Sequence, residues 1–456
     1  MLSKNVTFSA IKTRLSGVIL ALLALLTATS ANAVPSFARQ MGGMQCATCH
    51  TVFPELTPFG RQFKLRGFSM SAPKTDDASF FDKIPVAAML QFSRTSTKNT
   101  DTAGATSADF PRDDDVIVQA AGLYYAGKIT EKSGALVQYN YDGIERRWGI
   151  EMADIRYAGT ATLGKELIYG ITLNNAPTLS DIYNSTPVWS FPNVSSAEVM
   201  PAANTMLDMS LMSQVGGVGM YGLWDNLLYG ELALYRTADT GALRLFGLGV
   251  PTENIVKGAA PYWRLALQHE SGAHSFSVGT YGMISKIYAD KQDRNLGTNR
   301  FKDIGLDGQY QFIDGDHTFS THATWIREKQ DWNASFPMGM ASNASTILRT
   351  LKADVRYYYK RQWGGGLQYF QARGDTDFLR YNEGEMMAMP VMGSANGSPN
   401  NKGWVAELNF LPRENMKFAL RYTGYTQFNG ASDNYDGFGR DASDNNSLYL
   451  LSWLMF

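Results

Sequence analysis

Cysteine, charge of one sign and long apolar runs are all scarce in this chain of 456 residues. Its two cysteines permit at most one disulfide. Its 41 basic and 42 acidic residues nearly cancel, which removes any general electrostatic attraction to nucleic acid. A polytopic helical membrane protein is also excluded, because the chain lacks the repeated apolar runs of about 18 residues that such proteins need.

Glycine and aromatic residues are abundant instead. The chain has 43 glycines and 23 tyrosines beside 16 prolines, and Phe, Tyr and Trp together make up 12% of it. That aromatic content excludes an intrinsically disordered chain, which would be poor in such residues. Glycine and tyrosine with modest hydropathy favour a protein built from many alternating strands.

The first 33 residues have the pattern of a secretory signal peptide. Three basic residues fall within the first fourteen positions, residues 15–27 form a short apolar stretch, and Ala31-Asn32-Ala33 supplies a small-residue cleavage site. A membrane anchor is the alternative, but the apolar stretch is short and a cleavage site follows it. We therefore predict that residues 1–33 are removed and that the mature chain leaves the cytoplasm.

Both cysteines lie in one motif, C-A-T-C-H, over residues 46–50. C-x-x-C-H is the attachment signature of c-type haem, in which both thiols form thioethers and the histidine ligates the iron. A redox-active C-x-x-C and a zinc site are the alternatives, but no thioredoxin-like pattern lies nearby and a fourth zinc ligand is lacking. The motif therefore predicts one covalently bound c-type haem, attached to Cys46 and Cys49 and ligated by His50.

The motif does not define the second axial ligand of such a haem. Met70 lies beyond a predicted helix and could return to the open face, so we predict it as that ligand, where methionine would raise the potential. Met41 and Met44 are expected to pack beside the haem edge, and Met89 is a further methionine near in sequence. Four distant histidines become candidate ligands only if the fold brings them in: His269, His274, His317 and His322.

A short helix is predicted after the motif, with Thr57 as N-cap, Pro58 at the first helical position and Gly67 at the end. Four apolar side chains would cover a haem face or form an ordinary small core: Phe53, Phe59, Phe63 and Leu65. Three basic side chains would pair with haem propionates or stay in solvent: Arg61, Lys64 and Arg66. Residues 34–82 are too few to sustain a core unaided, so this haem segment is expected to dock on something larger.

From residue 83 onward the apolar pattern has a period of two. Apolar and aromatic side chains alternate with charged ones over residues 351–360, and similar alternation runs through Trp263, Trp404 and Met416. This is typical of transmembrane barrel strands, although a soluble β-sandwich shows the same alternation. Sixteen strands are predicted, beginning near Ile84, Val116, Ala135, Gly149, Lys165, Gln214, Leu227, Pro261, Ala273, Lys302, Thr318, Thr346, Gln362, Gly403, Met416 and Asn446.

Short and long connections alternate between these strands. The pattern predicts an antiparallel transmembrane β-barrel of about 16 strands over residues 83–456, with both chain ends periplasmic and the haem segment at or inside the lumen. The long connection 176–213, with Trp189 and Phe191, is expected to fold inward as a constriction. Charged candidates for the lumen wall are expected to be mostly solvated and to pair with one another: Asp154, Arg156, Asp307, Lys352, Asp354, Arg356 and Lys417.

The run PSFARQMGGMQCATCHTVFPELTPFGRQFKLRGF, residues 35–68, closely resembles the fused cytochrome–porin family of the bacterial outer membrane, which includes the iron oxidases of iron-oxidising bacteria. The motif match covers the haem segment only, whereas the barrel matches in length and pattern. The ending at Phe456 also resembles the insertion signal of outer-membrane barrels. The resemblance implies a monohaem c-type cytochrome fused to a porin-like barrel. With the predicted signal peptide over 1–33, the domains are a cytochrome c segment over 34–82 and an outer-membrane barrel over 83–456.

The resemblance further implies an oxidoreductase that oxidises extracellular Fe(II) at the haem and passes electrons to a periplasmic c-type cytochrome. The acidic run Asp113-Asp114-Asp115 offers oxygen ligands for Fe(II), although a hydrated loop is the simpler interpretation. Three alternatives stay open: the same conduit with another extracellular electron donor or acceptor, a diffusion porin whose haem segment acts as plug or sensor, and a soluble periplasmic electron carrier.

Overall fold

Sixteen strands form one closed antiparallel barrel in the computed structural model of the chain. The structure describes residues 35–51, 55–73, 84–101, 112–143, 146–183, 200–201, 203–237, 253–382 and 391–456, so the predicted signal peptide lies outside the described residues. Each strand pairs with its neighbours in sequence, and the first strand pairs with the last to close the barrel. The prediction of a 16-stranded antiparallel barrel is confirmed.

Strands dominate the described part of the chain, and its helices are short. The strands are β1 Val86–Thr97, β2 Val116–Thr130, β3 Ser133–Asp142, β4 Arg147–Leu163, β5 Lys165–Asn174, β6 Val215–Trp224, β7 Leu228–Thr237, β8 Ala260–Ser271, β9 His274–Tyr288, β10 Thr298–Asp314, β11 His317–Asp331, β12 Ser345–Tyr359, β13 Trp363–Gly374, β14 Asn401–Arg413, β15 Met416–Gln427 and β16 Ser447–Met455. The helices are α1 Pro35–Gln40, α2 Cys46–Cys49, α3 Pro58–Leu65 and α4 Phe378–Tyr381, with a π-helical turn at Met206–Ser210 and 3-10 turns at Arg294–Leu296 and Ala442–Asn445. None of the helices in the described part of the chain has the length and apolarity needed to cross a membrane.

The predicted strand starts agree with the structure to within four residues. Val116, Lys165 and Met416 are starts in both, and the largest difference is at β10, which was expected from Lys302 and begins at Thr298. The reason is that the first residues of β10 are polar, so hydropathy gives no sign of a strand there. Backbone pairing with β9 nevertheless continues to Thr298.

The two faces of each strand differ as the alternation predicts. In β12, Val355, Tyr357 and Tyr359 point outward and are 42–44% exposed, whereas Tyr358 between them is buried inside. On other strands, leucines that point outward are more than half exposed, among them Leu367 and Leu408. A closed barrel pairs all its strand edges, and an apolar outer surface around a polar interior is suited to lipid, so the fold is that of a transmembrane barrel.

The two ends of the barrel differ in the length of their connections. Seven connections of one to three residues lie at one end, hereafter the short-turn end: residues 131–132, 164, 225–227, 272–273, 315–316, 360–362 and 414–415. The other connections lie at the long-loop end. Strand β1 starts and strand β16 finishes at the short-turn end, where the Ala88 and Phe456 backbones donate to each other's carbonyl oxygens at 3.0 and 2.9 Å. The first and the last strand of the barrel therefore have their outer termini side by side at the short-turn end.

The described part of the predicted haem segment lies in the barrel at the short-turn end. We call residues 35–51 and 55–73 the N-terminal plug. Leu65 of the plug is fully buried among residues of the inner wall, and the Tyr221 hydroxyl donates to its carbonyl oxygen at 2.8 Å. This small segment was expected to dock on something larger, and it docks on the barrel of the same chain.

Candidate functional site

The N-terminal plug is attached all the way round the short-turn end. Its contacts reach successive hairpins: Arg39 with Val86, Gln40 with Lys128, Arg66 with Glu166, Gln62 with Asn226, Arg61 with Ser275, Glu55 with Ser320, Gln45 with Arg361 and Cys46 with Glu414. Because these partners follow one another around the ring of strands, the plug is held across the mouth and not against one side of it.

The C-A-T-C-H motif forms helix α2 and the residue that follows it. The His50 backbone N–H donates to the Cys46 carbonyl at 2.9 Å, which closes a single helical turn and puts both thiols and the imidazole on one short segment. Cys46 and Cys49 are not joined in a disulfide, and both are partly exposed. The segment therefore carries two thiols outside any disulfide, together with a histidine, within one short stretch.

Burial raises the pKa of the Cys49 thiol to about 11. The thiolate, and not the thiol, is the nucleophile and the zinc ligand in cysteine chemistry. A thiol that stays protonated at neutral pH is unlike the activated cysteine of a redox-active C-x-x-C, which is one of the alternatives left open by the sequence.

Helix α3 packs directly on the motif. The Thr57 hydroxyl caps α3 by accepting from the Gly60 N–H at 3.1 Å, and it donates to the Thr48 carbonyl at 2.6 Å. At Gly60 a Cβ atom would lie 2.2 Å from the Cys49 carbonyl oxygen, so only glycine permits this approach. The predicted N-cap, the predicted first residue Pro58 and the predicted end near Gly67, which has φ +70°, are confirmed.

The aromatic side chains of the plug form a small core of their own. The Phe63 ring lies 5.0 Å from that of Phe37 and 5.9 Å from that of Phe68, centroid to centroid, and Phe37 stacks on Phe68 at 5.3 Å. Of the two interpretations of these residues, the ordinary core therefore holds for Phe63. Phe53 lies outside the described residues.

The basic side chains of α3 bind the barrel wall. The buried Arg61 guanidinium donates to Ser275 at 2.7 Å and to Gln311 at 3.1 Å, and desolvation lowers its pKa. The Lys64 ammonium donates to the Leu179 carbonyl at 2.5 Å, and burial lowers its pKa to about 8. Arg66 pairs with Glu166 at 2.9 Å at the rim. The expectation of a solvated side chain is wrong for Arg61, which is 1% exposed because Ser275 and Gln311 on the wall lie within its reach. Pairing of these basic side chains with haem propionates stays a prediction.

The connection between β5 and β6 folds into the lumen, as expected for a constriction. Tyr183 is buried and its hydroxyl donates to Gln268 at 2.9 Å, while Asp181 lies 3.3 Å from the Arg264 guanidinium. After a gap in the described residues, the Met206 N–H donates to Glu328 at 2.7 Å. Trp189 and Phe191 lie outside the described residues.

The lumen charges pair with one another, as predicted. Two pairs lie within one strand, Arg156–Asp154 at 2.9 Å and Arg356–Asp354 at 3.5 Å. The others lie across strands or between wall and loop: Arg264–Asp307 at 2.7 Å, Lys352–Asp208 at 2.6 Å and Lys417–Glu407 at 3.2 Å. The expectation of solvated wall residues is wrong for Asp154 and Arg156, which are at most 1% exposed, because Lys64 of the plug and the inward connection cover them.

The other predicted ligands are widely separated. Gln40 donates to the Met70 carbonyl at 2.7 Å and accepts from the Lys128 N–H, which ties Met70 to β2, whereas Cys46 lies at the turn before β15. The assignment of Met70 as second axial ligand stays a prediction. Met41 and Met44 are partly exposed at the plug surface, and Met89 is buried in β1.

One of the four distant histidines meets the plug. His269, His274 and His317 are exposed, whereas His322 points inward from β11, with Nε2 2.8 Å from the Glu55 carboxylate. Glu55 itself was not predicted, since an acidic residue between two apolar ones carries no local signal. In the first long loop, by contrast, Asp113, Asp114 and Asp115 each have partners of their own, respectively the Thr97 N–H, Arg94 and Arg112.

These features define a porin-like outer-membrane barrel whose short-turn mouth is crossed by a plug carrying C-A-T-C-H. No protein-family model matches the chain, and no curated protein matches it. Among solved structures it is similar to OmpF of Salmonella typhi in complex with daunomycin, at 12% identity and a TM-score of 0.46, with 81% of this chain and 97% of that chain covered.

Two further barrels are similar to it. They are an anion-selective porin from Comamonas acidovorans (10% identity, TM-score 0.43, 81% of this chain and 98% of that one) and the outer-membrane channel DcaP of Acinetobacter baumannii (11% identity, TM-score 0.42, 81% and 96%). At these values nothing about what this chain binds or transports follows from the similarity.

Proposed function

We propose that this protein is an outer-membrane electron conduit that oxidises extracellular Fe(II) at a c-type haem and passes the electrons to a periplasmic c-type cytochrome. The observation that carries the proposal is the position of C-A-T-C-H inside a closed barrel, on a plug attached to every hairpin of the short-turn end. An apolar bilayer blocks electrons as it blocks ions. A redox group held inside the barrel lumen would give electrons a path across the membrane.

The residues present fit a covalently attached haem. Cys46 and Cys49 lie one helical turn apart, are not joined in a disulfide and would form the two thioethers, and His50, which follows directly, would ligate the iron. When bound, such a group supplies one-electron chemistry at an iron whose potential depends on its ligands and its burial. The chain's own contribution is to position the motif, through Glu414 at α2 and through Thr57 and Gly60 at α3.

Orientation follows from the barrel. In outer-membrane barrels short turns face the periplasm and long loops face outside. The motif would then lie at the periplasmic mouth, within reach of a soluble electron acceptor, and both ends of the barrel sequence would be periplasmic.

A diffusion porin is the second candidate, and the barrel by itself favours it over the conduit. A sixteen-stranded barrel encloses an aqueous channel when nothing fills it. The ring of plug contacts argues for a closed mouth instead. Planar-bilayer recordings on the full protein separate the two functions: steady ion conductance with the plug in place would favour the porin, and a closed or nearly closed channel would favour the conduit.

The test of the conduit is spectroscopic. The detergent-solubilised protein, purified in its oxidised form, should develop the ferrous α-band in the visible spectrum when Fe(II) is added without oxygen. If dithionite produces that band and Fe(II) does not, iron oxidation is ruled out as the function.

Attachment of the haem is tested separately. Replacing Cys46 and Cys49 together by alanine should remove haem stain from the band on a denaturing gel, since no thioether can then form. The single variants serve as intermediates, and persistent stain in the double variant would contradict covalent attachment.

A further inference from the structure

A cluster of metal-ligand type side chains lies where the plug meets the barrel wall. Glu55 of the plug is fully buried, His322 projects inward from β11, and Asp354 projects inward from the neighbouring strand β12. His322 and Asp354 are direct partners in the β11–β12 ladder, so the sheet sets their spacing. The plug supplies the third member.

The ligand atoms of the three side chains are close enough to share one ion. One carboxylate oxygen each from Glu55 and Asp354 and one ring nitrogen of His322 lie within 4.8 Å of one another. The Glu55 Oε1 to His322 Nε2 distance is 2.8 Å, whereas Asp354 Oδ1 lies 3.4 Å from Nδ1, the other nitrogen of the ring, so Asp354 is the more distant ligand of an ion held at Nε2. Two ligands of one metal ion at about 2.1 Å and a right angle lie about 3 Å apart, which is close to the first of these distances.

The two oxygens of Glu55 have different surroundings. Oε2 accepts from the Ser320 hydroxyl at 2.8 Å and from the Thr51 hydroxyl, so that side of the carboxylate is satisfied. Oε1 is buried and receives no hydrogen bond of suitable direction, although it points at His322. A buried carboxylate oxygen without a donor is costly and calls for a partner of positive charge.

His322 Nε2 has two polar neighbours and cannot hydrogen-bond to both of them. His322 Nε2 lies 2.7 Å from Gln309 Nε2 as well as 2.8 Å from Glu55 Oε1. One ring nitrogen carries either a proton or a lone pair, so in either state it satisfies one of these neighbours only. A cation between Oε1 and the imidazole would satisfy both lone pairs together.

We propose that Glu55, His322 and Asp354 bind a divalent transition-metal cation at the junction of plug and wall. Carboxylate and imidazole ligands suit ions such as Fe(II), Mn(II) and Zn(II) better than they suit soft ions. Two carboxylates beside the single Arg356 guanidinium, 3.5 Å from Asp354, leave a net negative charge that a divalent cation offsets. The identity of the occupant as the Fe(II) donor rests on the proposed function.

The site lies on the same small structure as the C-A-T-C-H motif. His50 and Leu56 form a backbone bridge, and the Thr51 N–H donates to the Glu55 carbonyl at 3.2 Å, so Glu55 is joined to the motif by direct backbone pairing. By contrast, β11 has 15 residues. At about 3.3 Å per residue and a tilt of about 40°, the long-loop end lies roughly 35 Å from the short-turn end. A cation bound at Glu55 is thus near the motif, whereas one held at the outer loops is far from it.

Binding can be measured without electron transfer. The haem-loaded protein is first reduced with dithionite, and equilibrium dialysis against Fe(II) under argon then gives the number of ions bound and their affinity. We expect one saturable site per chain, with affinity lowered at least tenfold in Glu55→Gln and in His322→Gln. The control is His317→Gln, which removes an exposed histidine from the same strand and should bind as the wild type does.

Loss of Fe(II) binding must be separated from loss of folding. The substitution Asp354→Asn tests the site from the barrel wall and leaves the plug sequence unchanged. Heat-modifiable migration on gels checks that each variant barrel is folded. Equal Fe(II) affinity in wild type and in folded Glu55→Gln, His322→Gln and Asp354→Asn would overturn the proposed site.

The site and the proposed function fail in different ways. If the reduced protein binds one Fe(II) through these residues but Fe(II) does not reduce the oxidised protein, the cation site stands and iron oxidation is wrong. If Fe(II) reduces the oxidised wild type and His322→Gln at the same rate and binding is also unchanged, the function stands and the site is wrong.

Discussion

At the scale of single residues, the plug is held by buried polar side chains and not by apolar area alone. Arg61 is 1% exposed and directs two hydrogen bonds to β9 and β10. Arg66, five positions on, makes one ion pair in which the Glu166 side chain is 60% exposed. Buried charged hydrogen bonds contribute several times more than surface ion pairs. The two arginines therefore form a natural pair of test and control.

We expect Arg61→Met to loosen the plug. The substitution leaves Ser275 and Gln311 without their donor, at a cost of about 2–4 kcal/mol in the free energy of plug opening. The measurement is protease cleavage within residues 35–73 as a function of urea. Arg66→Met should change that profile by less than about 1 kcal/mol, and equal effects of the two substitutions would contradict the stronger role of Arg61.

Lys64 gives the plug a dependence on pH. Its folded pKa of about 8 lies below its ordinary value of 10.5, because burial disfavours the charged form. Between these values the unfolded chain binds more protons than the folded one, so the contribution of Lys64 to stability rises with pH and the cost of burying its charge is fully present below pH 8. Relative to Lys64→Met, the wild-type thermal midpoint should therefore increase from pH 7.5 to pH 10, and a parallel change in both proteins would show that Lys64 is not the cause.

At the scale of elements, α2 and α3 pack together as one unit because Gly60 of α3 lies at the contact between them. No side chain fits between Gly60 and the Cys49 carbonyl, so the approach of the two helices depends on that position. In the strands, by contrast, a Cβ atom added at a glycine often meets a side chain that can move aside. Gly230 of β7, for example, has only Leu265 Cδ2 near its missing Cβ, at an ordinary 3.6 Å.

Gly60→Ala should therefore disturb the motif. The added methyl group would push α3 away from Cys49, and we expect less haem attached per chain, measured as the ratio of haem absorbance to protein. Gly230→Ala is the matched control and should retain the wild-type ratio. Full haem content in Gly60→Ala would show that the packing of α3 on α2 is not required.

At the scale of the whole molecule, barrel closure and plug attachment are separable. The barrel closes through the ladder between β1 and β16, from Met89 opposite Met455 to Thr97 opposite Ser447, and the plug takes no part in that ladder. The plug in turn is attached by side chains at the rim and inner wall. Removing it should leave the strand pairing intact.

We expect deletion of residues 34–82, with residues 1–33 kept, to give a folded barrel of higher conductance. The deletion removes the structure that crosses the short-turn mouth, so single-channel conductance in planar bilayers should increase severalfold over that of the full protein. Unchanged conductance in a barrel that still shows heat-modifiable migration would mean that the inward connection between β5 and β6, and not the plug, closes the channel.

The amino-acid sequence by itself determined the features that depend on neighbours along the chain. Period-two alternation marked all sixteen strands, because facing lipid or lumen is decided residue by residue. C-A-T-C-H, on which the haem proposal rests, is likewise recognised from its local spacing alone. The cap at Thr57 and the first position at Pro58 are local for the same reason.

Only the tertiary structure decided which distant residues meet. Ser320 lies 265 positions from Glu55 in sequence, and no periodicity or spacing links the two. The same holds for Arg61 with Ser275 and Gln311, where basic side chains that looked solvated are buried. Closing the barrel brings the seven short turns to one rim. The partners of the plug come from that ring, and no single stretch of sequence contains them all.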